Sequence, residues 1–289
     1  MNRQRECVSL AAATVVLACA AMPTGAEAQA RAVDGKHARV EVIAAADAPD
    51  QSGTLWLGVR FAMEPGWHIY WVNPGDSGGP PTALWHLPQG VAADGFLWPA
   101  PERIPLGPLV NYGYKGDVVL PVALRVPAAA RGQAITGSVD LRWLICKDIC
   151  IPDRATLAFA LPLPAAERDR LATWRQQIAD ARAAVPVPAP RGWKTSVTST
   201  RDALVVAIAT DRTMGGATFF PIDEGVINES APQRVDVKGT AITFTLQKSV
   251  HLLTLPARLR GVVVLASGEA FEVSGAVADA TRGSLSSRE

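Results

Sequence analysis

The feature that most restricts the fold is a succession of short runs with alternating apolar side chains and no helix between them. Alternate positions are apolar in the run GTLWLGVRFAM at residues 53–63: Leu55, Leu57, Val59 and Phe61. This is the period of a strand with one buried face. Parallel strands need crossover connections, so the absence of intervening helices predicts mainly antiparallel sheets. The 24 Gly and 22 Pro residues supply turns, and the sequence predicts an all-β protein.

The 289 residues are enough for two domains, each with its own core. Residues 31–164 are predicted to form a β-sandwich and residues 191–280 a second, smaller one. Residues 165–190 form a helical and Pro-rich connector, whose apolar positions share one helix face: Leu171, Trp174, Ile178 and Ala181. Residues 281–289 are predicted to be a disordered tail.

The first 30 residues have the organisation of a cleaved signal peptide. Two arginines precede an apolar run at residues 8–21, and AQA at residues 28–30 provides a cleavage pattern. The alternative is a lipoprotein lipidated on Cys19, although Leu17 fits that pattern poorly. No later stretch reaches roughly 18 apolar residues without a charge or a proline, so no membrane span is expected in the mature protein. The mature protein is therefore expected to be soluble and periplasmic.

The balance of charge argues against nucleic acid and anionic membranes as partners. Lys plus Arg total 28 against 27 Asp plus Glu, which gives a formal net charge of +1. Such a surface has no electrostatic footprint for polyanions. Ser77 stands in DSGG, but not in a Gly-x-Ser-x-Gly turn between a strand and a helix. Phosphate-binding and dinucleotide glycine loops are also missing, so no cofactor is predicted.

Removal of residues 1–30 leaves two cysteines, Cys146 and Cys150, in the segment LRWLICKDICIPD. In a straight strand, residues four apart are separated by about 13 Å, well beyond disulfide reach. A hairpin with residues 147–149 at its tip brings opposing Cα atoms to about 4.5–5.5 Å, which a disulfide spans. A bridge that closes so short a loop removes little entropy from the unfolded chain, which favours a reactive pair over a structural staple. A structural disulfide and half of a metal site remain alternatives.

A segment rich in aromatic residues, GWHIYWVNPGDSGGPPTALWHLP, begins at residue 66. The favoured interpretation places its alternate Trp residues in the sandwich core, with predicted turns at residues 73–76 and 77–81. The alternative is a binding surface lined by six side chains: Trp67, His68, Tyr70, Trp71, Trp85 and His86. His68 and His86 would complete a soft-metal site with the two cysteines, but the spacing is not that of a metal motif, so no metal is predicted.

Three ordered motifs together resemble one family. WLICKDICIP at residues 143–152, GWHIYWVNPGDSGGPPT at residues 66–82 and NYGYKGDVVLPV at residues 111–122 are similar to the N-terminal periplasmic domain of DsbD-family thiol:disulfide interchange proteins. The similarity is to the ScsB-like branch in particular, which is associated with suppression of copper sensitivity. The resemblance extends from about residue 38 to residue 164. It implies an immunoglobulin-like β-sandwich in which Cys146 and Cys150 form the redox pair.

The resemblance also implies partners. In this family the cysteines accept electrons from a membrane-embedded transporter and pass them to periplasmic thioredoxin-fold proteins. An aromatic cap loop shields them; the candidates are Tyr112 and Tyr114, with Trp71 and His68 as further candidate neighbours. This chain lacks the membrane-spanning region and the C-terminal thioredoxin-like domain of full-length members, so its DsbD/ScsB-like electron donor is expected to be another polypeptide. Its cysteine spacing is also tighter than that of the best-known members.

Two functions are compatible with these features. The first is periplasmic thiol:disulfide interchange through Cys146 and Cys150, with Cys150 as the attacking residue by analogy. The second is a non-catalytic binding or assembly module with a permanent disulfide, in copper handling or cytochrome c maturation. The sequence leaves open whether the protein is an enzyme, as a component of a protein-disulfide reductase or thiol-disulfide oxidoreductase. The second domain carries no Cys and no catalytic motif, so a structural or partner-facing role is expected for it.

Overall fold

The structure, a computed structural model, describes residues 31–280. The predicted signal peptide, the alternative lipidation site at Cys19 and the predicted disordered tail lie outside the described residues. Within residues 31–280, no helix is both long enough and apolar enough to cross a membrane. The buried side chains form two clusters, and the first of them also includes Phe220 and Val262 from residues 191–280. The division into domains at residues 31–164 and 191–280 stays a prediction.

The first domain is built from short strands, as the alternation predicts. Its strands are β1 (Ala32–Asp34), β2 (Ala38–Ala44), β3 (Thr54–Met63), β4 (His68–Gly75), β5 (Thr82–His86), β6 (Ala92–Ala93), β7 (Glu102–Leu106), β8 (Leu109–Lys115), β9 (Asp117–Arg125), β10 (Ile135–Cys146) and β11 (Cys150–Leu161). One sheet has the order β1-β2-β3-β9-β6; the other has the order β11-β10-β4-β8-β7, with β5 also paired to β10. Every pairing in these two sheets is antiparallel, which confirms the predicted all-β, immunoglobulin-like sandwich.

The core between the two sheets follows the predicted alternation. The four apolar positions of β3 are all buried: Leu55, Leu57, Val59 and Phe61. Trp143 of β10, in the opposite sheet, packs edge to face against Phe61, with ring centroids 5.6 Å apart. Burial of such a pair stabilises the sandwich both through the apolar area removed from water and through the aromatic contact.

A single helix covers the outer face of the first sheet. A 3₁₀ turn (Ala165–Arg170) leads into α1 (Leu171–Ala183), which packs on β2, β3 and β9. Trp174 and Ile178 are its buried residues, on the face that the sequence predicts. Gly58 makes room for the helix, because a Cβ there would lie 3.2 Å from Ile178 Cγ1 and 2.5 Å from Val119 Cγ1. The helical connector is therefore packed onto the first domain.

The second domain is a smaller β structure. Its strands are β12 (Val187–Pro188), β13 (Lys194–Ser199), β14 (Ala203–Ala209), β15 (Ala217–Pro221), β16 (Arg234–Lys238), β17 (Ala241–Gln247), β18 (Arg258–Leu265) and β19 (Ala270–Asp279). They pair in the order β15-β18-β19-β13-β14-β17-β16, with parallel pairing of β19 to both β12 and β13. Phe219 of β15 and Phe244 of β17 have ring centroids only 5.8 Å apart, although their strands are distant in the sheet order. The continuous sheet therefore folds over onto itself and encloses one core.

The two domains share a contact through Phe220 of β15. Its ring packs edge to face against Tyr112 of β8 at 5.0 Å and against Trp71 of β4 at 6.2 Å. Asn73, which is fully buried, donates from Nδ2 to the carbonyl oxygen of Pro221 at 2.9 Å. The second domain therefore supports the strand pair β4 and β8 from one side.

Candidate functional site

The two cysteines lie on either side of the turn of a tight hairpin. Cys146 ends β10 and Cys150 begins β11, and the two are directly opposed in the register of the strands. Their Cα atoms are 4.2 Å apart and their sulfurs are bonded. The backbone N–H of Lys147 donates to the carbonyl oxygen of Ile149 at 3.1 Å and closes the turn. The hairpin predicted from the spacing of the cysteines is confirmed.

The environments of the two cysteines differ sharply. Cys146 is completely buried, whereas Cys150 and the whole tip of the hairpin are exposed. Ile149, at the tip, is 64% exposed. An incoming thiolate must reach the sulfur that it attacks, so the side of the bridge open to another protein is that of Cys150.

A tyrosine hydroxyl lies against both sulfurs. Tyr70 Oη donates to Cys146 Sγ at 2.8 Å and lies 3.1 Å from Cys150 Sγ. The side chain is fully buried, and this burial raises the pKa of Tyr70, with a smaller opposing effect of a hydrogen bond with Ser77. The phenol therefore stays protonated at neutral pH and remains a donor. The sequence placed Tyr70 only among the six candidates for a binding surface and did not predict its contact with the sulfurs, because the pattern along β4 indicates only strand geometry.

A polar network holds this tyrosine in place. Asn111 Nδ2 lies 3.5 Å from Tyr70 Oη and 3.3 Å from His68 Nε2, while Ser77 Oγ donates to Asn111 Oδ1 at 2.9 Å. Burial, with a smaller effect of the Lys115 charge, lowers the pKa of His68 to about 4. The imidazole is therefore neutral at neutral pH, and Nε2 accepts the hydrogen bond from Asn111. Asn111, His68 and Tyr70 are all buried, so the network fixes the direction of the phenol O–H.

The loop after β4 covers the tyrosine ring. Gly78 has a φ of +93°, and a Cβ at this position would lie 2.0 Å from Tyr70 Cζ. Both the backbone conformation and the close approach therefore require glycine. The predicted turn at residues 73–76 is wrong in part, because β4 continues to Gly75 through a register shift that accommodates Pro74.

The structure places the predicted site residues in two different settings. His68 is the register partner of Cys146 and belongs to the polar network. Trp71 and Tyr112 are buried and contact Phe220 of the second domain. Tyr114 is also buried, and its hydroxyl donates to the carbonyl oxygen of Pro99 at 2.7 Å. A capping role for Tyr112 or Tyr114 stays a prediction, whereas the aromatic side chain that contacts the sulfurs is that of Tyr70.

A buried carboxyl group lies at the boundary between the domains. Arg103 of β7 donates from Nη2 to the carbonyl oxygen of Glu229 at 2.6 Å. The Glu229 side chain is buried, and within residues 31–280 its Oε1 atom has no hydrogen-bond partner. Burial raises the pKa of this carboxyl to about 7, with smaller contributions from Asp76 and Glu224. The protonation state of this carboxyl, next to the strands that carry the polar network, therefore changes near neutral pH.

The metal alternative depends on histidines that the fold separates. His68 lies beside Cys146, but His86 is opposite Ser138, much further along β10, where its Nε2 lies 2.8 Å from Asp140 Oδ2. Among residues 31–280, no three His, Cys, Asp or Glu side chains are grouped so that they could hold a metal ion.

Comparisons with known proteins find a family similar to the first domain and a solved structure with a similar fold. The family described as "Thiol:disulfide interchange protein DsbD, N-terminal" matches residues 37–162. The solved N-terminal periplasmic domain of ScsB from Proteus mirabilis is similar, with a TM-score of 0.65 and 20% sequence identity over 84% of this chain and 94% of that chain. The similarity in fold therefore includes the second domain. The periplasmic chaperone SfaE aligns over 82% of this chain and 100% of that one, but with a TM-score of 0.20 and 11% identity it carries no argument. No curated protein matches the chain.

Proposed function

We propose, from the match of residues 37–162 to the family described as "Thiol:disulfide interchange protein DsbD, N-terminal", that the protein exchanges electrons with other proteins through Cys146 and Cys150. One observation carries the proposal. The bridge joins an exposed cysteine to a buried one, and a protonated tyrosine hydroxyl donates to the buried sulfur at 2.8 Å. This arrangement provides one sulfur for attack and a prepared site for the charge on the other.

The exchange proceeds through a mixed disulfide. A thiolate of a reduced partner attacks Cys150 Sγ, the bond between the two sulfurs breaks, and Cys146 leaves as a thiolate. The Tyr70 hydroxyl stabilises this new charge, because hydrogen bonds to ionised acceptors are stronger than those to neutral ones. The second thiol of the partner then releases its proton to solvent. The resulting thiolate attacks the partner's first sulfur, which is bonded to Cys150, and Cys150 leaves as a thiolate. The partner becomes a disulfide, and Cys146 and Cys150 gain two electrons and take up protons.

The reduced pair passes these electrons on by the same steps in reverse. Cys150 attacks the disulfide of an oxidised partner, and Cys146 resolves the mixed disulfide. We infer a membrane-embedded DsbD/ScsB-like protein as the electron donor, thioredoxin-fold proteins as acceptors and the periplasm as the location. The family of the first domain, the periplasmic origin of the similar ScsB domain and the signal-peptide pattern of residues 1–30 support this inference.

The burial of Cys146 favours a second candidate, a binding or assembly module whose disulfide is permanent. Mild reduction of the folded protein discriminates between the two. Under the interchange function, dithiothreitol opens the bridge while the far-ultraviolet circular dichroism stays native, and mass spectrometry then detects two alkylated cysteines. A bridge that survives excess dithiothreitol until the chain unfolds would support the permanent disulfide instead.

Trapping experiments test the roles of the individual cysteines. Cys146→Ala leaves the exposed Cys150 without its resolving partner, so this variant is expected to accumulate a mixed disulfide with a thioredoxin-fold protein. Cys150→Ala is the matched control, because its remaining thiol is buried. Equal adduct yields from the two variants would refute the assignment of Cys150 as the attacked sulfur, and the absence of adducts from both would count against interchange.

A further inference from the structure

The outer face of the cysteine hairpin carries a pair of arginines in line with the disulfide. Side chains alternate between the two faces of a strand, so Arg142 lies on the same face as Cys146, and Arg154 on the same face as Cys150. The two arginines are register partners, as are the two cysteines. Each arginine lies four positions from its cysteine, which corresponds to about 13 Å along the strand.

These two guanidinium groups are exposed and unpaired. Other strand arginines of the first domain, Arg39, Arg60 and Arg125, each form an ion pair with a carboxylate. Within residues 31–280, the guanidinium groups of Arg142 and Arg154 form neither an ion pair nor a hydrogen bond. Like charges directly opposite each other on neighbouring strands are destabilising. Folding alone therefore gives no reason for this pair.

The acidic groups nearby are already engaged. Asp140 accepts from Thr156 Oγ1 at 2.6 Å and from His86 Nε2 at 2.8 Å. Asp153 accepts from the backbone N–H of Lys36 at 2.8 Å and from its neighbour's N–H at 2.9 Å. Asp140 interacts electrostatically with Arg142, but in the described part of the chain neither carboxylate accepts a hydrogen bond from a guanidinium group. The N–H donors of both arginines are therefore available to an external anion.

A groove of about 680 Å³ connects this pair to the region beside the bridge. Its lining includes both arginines, Leu144 and Pro152 between them and the cysteines, and Gly79 and Pro80 from the loop over Tyr70. Lys36 and Asp153 also line it, so the groove contains three cationic side chains and one carboxylate. Its floor is partly apolar and one end is cationic. An extended peptide fits such a groove, and a carboxylate matches the planar guanidinium donors at its end.

From this geometry we propose that the groove docks an extended acidic segment of the exchange partner, with a carboxylate between Arg142 and Arg154 when the partner's cysteine reaches Cys150. The acidic residue and the cysteine of the partner must then lie four positions apart in an extended chain, with three residues between them. This inference rests on the proposed function, because docking has a role only if the bridge is exchanged.

Synthetic peptides test the docking directly. The first probe is a nine-residue peptide with a central cysteine and an aspartate four residues away on each side, so that either chain direction is sampled. Its twin carries asparagine at both positions. The rate at which each reduced peptide opens the oxidised full-length protein is followed by acid quenching, alkylation and mass spectrometry. Each rate is divided by the rate of the same peptide with glutathione disulfide, which removes differences in intrinsic thiol reactivity.

The aspartate peptide is expected to react on the order of 10-fold faster at low salt, the effect of one or two exposed ion pairs. This advantage disappears in Arg142→Gln/Arg154→Gln and in about 0.5 M salt, because exposed charges are screened. Lys194→Gln/Arg234→Gln is the matched control: it removes two exposed positive charges from the second domain and keeps the advantage. The Arg142→Gln/Arg154→Gln variant is expected to melt no lower than the wild type, because it relieves a like-charge pair.

The outcomes separate docking from exchange. Equal normalised rates for the two peptides, or an aspartate advantage that survives in Arg142→Gln/Arg154→Gln, overturn the docking site; if dithiothreitol still opens the bridge, the proposed function stands. Failure of both peptides and of dithiothreitol to open the bridge overturns the proposed function and this inference with it.

Discussion

Replacement of Tyr70 by Phe tests whether the phenol hydroxyl stabilises the Cys146 thiolate, because it removes only one oxygen atom. The phenol donates to Cys146 Sγ at 2.8 Å and lies 3.1 Å from Cys150 Sγ. Phenylalanine keeps the ring that fills the space beneath Gly78. Asn111 keeps its contact with His68. The substitution therefore removes the hydrogen bond to sulfur with little change in packing.

The magnitude follows from the charge of the acceptor. A hydrogen bond to a charged group contributes about 1.5–3 kcal/mol, whereas a disulfide sulfur is a weak acceptor. Loss of the hydroxyl therefore destabilises the reduced, thiolate form relative to the oxidised form. At 1.36 kcal/mol per pKa unit, the pKa of the Cys146 thiol is expected to rise by about 1–2 units. At 1.4 kcal/mol per 30 mV, the reduction potential is expected to fall by about 30–60 mV where the thiolate is the populated form.

Two measurements report these quantities separately. Equilibration in dithiothreitol redox buffers, followed by alkylation and mass spectrometry, gives the reduction potential. The absorbance of the thiolate near 240 nm, recorded against pH in the reduced protein, gives the thiol pKa. Both are compared with the wild type under the same conditions, and thermal melts of the oxidised proteins confirm that the fold is retained.

Tyr112→Phe is a matched control for the same chemical change. Tyr112 is fully buried, but its hydroxyl has no hydrogen-bond partner within residues 31–280. Its removal is therefore expected to leave the potential and the thiol pKa unchanged. The reasoning is refuted if Tyr70→Phe shifts neither quantity, or if Tyr112→Phe shifts them equally.

Three further predictions address the surroundings of the site. The pKa of Glu229 is raised from its ordinary value of 4.5 to about 7, so its carboxyl stabilises the fold fully below pH 4.5 and loses this contribution as the pH rises to 7. Glu229→Gln is therefore expected to remove up to about 3 kcal/mol of the pH dependence of unfolding in that window, as urea titrations at several pH values will show; an unchanged slope with pH would contradict this. Gly78→Ala is expected to cost about 1–3 kcal/mol and to displace the covering loop, because the new Cβ would lie 2.0 Å from Tyr70 Cζ. Hydrogen–deuterium exchange should then rise at residues 76–82, and protection equal to the wild type would argue against the close contact. Trp174→Ala, in the buried face of α1, is expected to lower the free energy of unfolding by about 3–5 kcal/mol without altering the reduction potential, and a stability loss below about 1 kcal/mol would mean that the helix contributes little to the first domain.

The fold class and the position of the disulfide were accessible from the sequence because both depend on near neighbours. The two-residue alternation of apolar side chains in β3 identifies a strand with one buried face. The three residues between Cys146 and Cys150 allow a bond only if the chain bends there. The flanking strand pattern and Pro152 favour a hairpin over a turn of helix. The face of α1 that buries Trp174 and Ile178 follows in the same way from helical periodicity.

The surroundings of the sulfurs depend on residues that are far apart in sequence. Tyr70 is separated from Cys146 by 76 positions, and Asn111 from His68 by 43. No local pattern distinguishes Tyr70, which contacts the bridge, from Trp71, which faces the second domain. That assignment depends on the register of β4 against β8 and β10.

The sequence by itself determined that the chain forms mainly antiparallel sheets and that Cys146 and Cys150 meet across a hairpin, because periodicity and short-range chain geometry are encoded within a few residues. Only the tertiary structure decided that Cys146 is buried and Cys150 exposed, that Tyr70 donates to the sulfurs, and that Arg142 and Arg154 lie unpaired in line with them. The physical reason is that burial, hydrogen bonding and charge pairing arise when distant strands are brought side by side, and the pattern within one strand does not specify its neighbours.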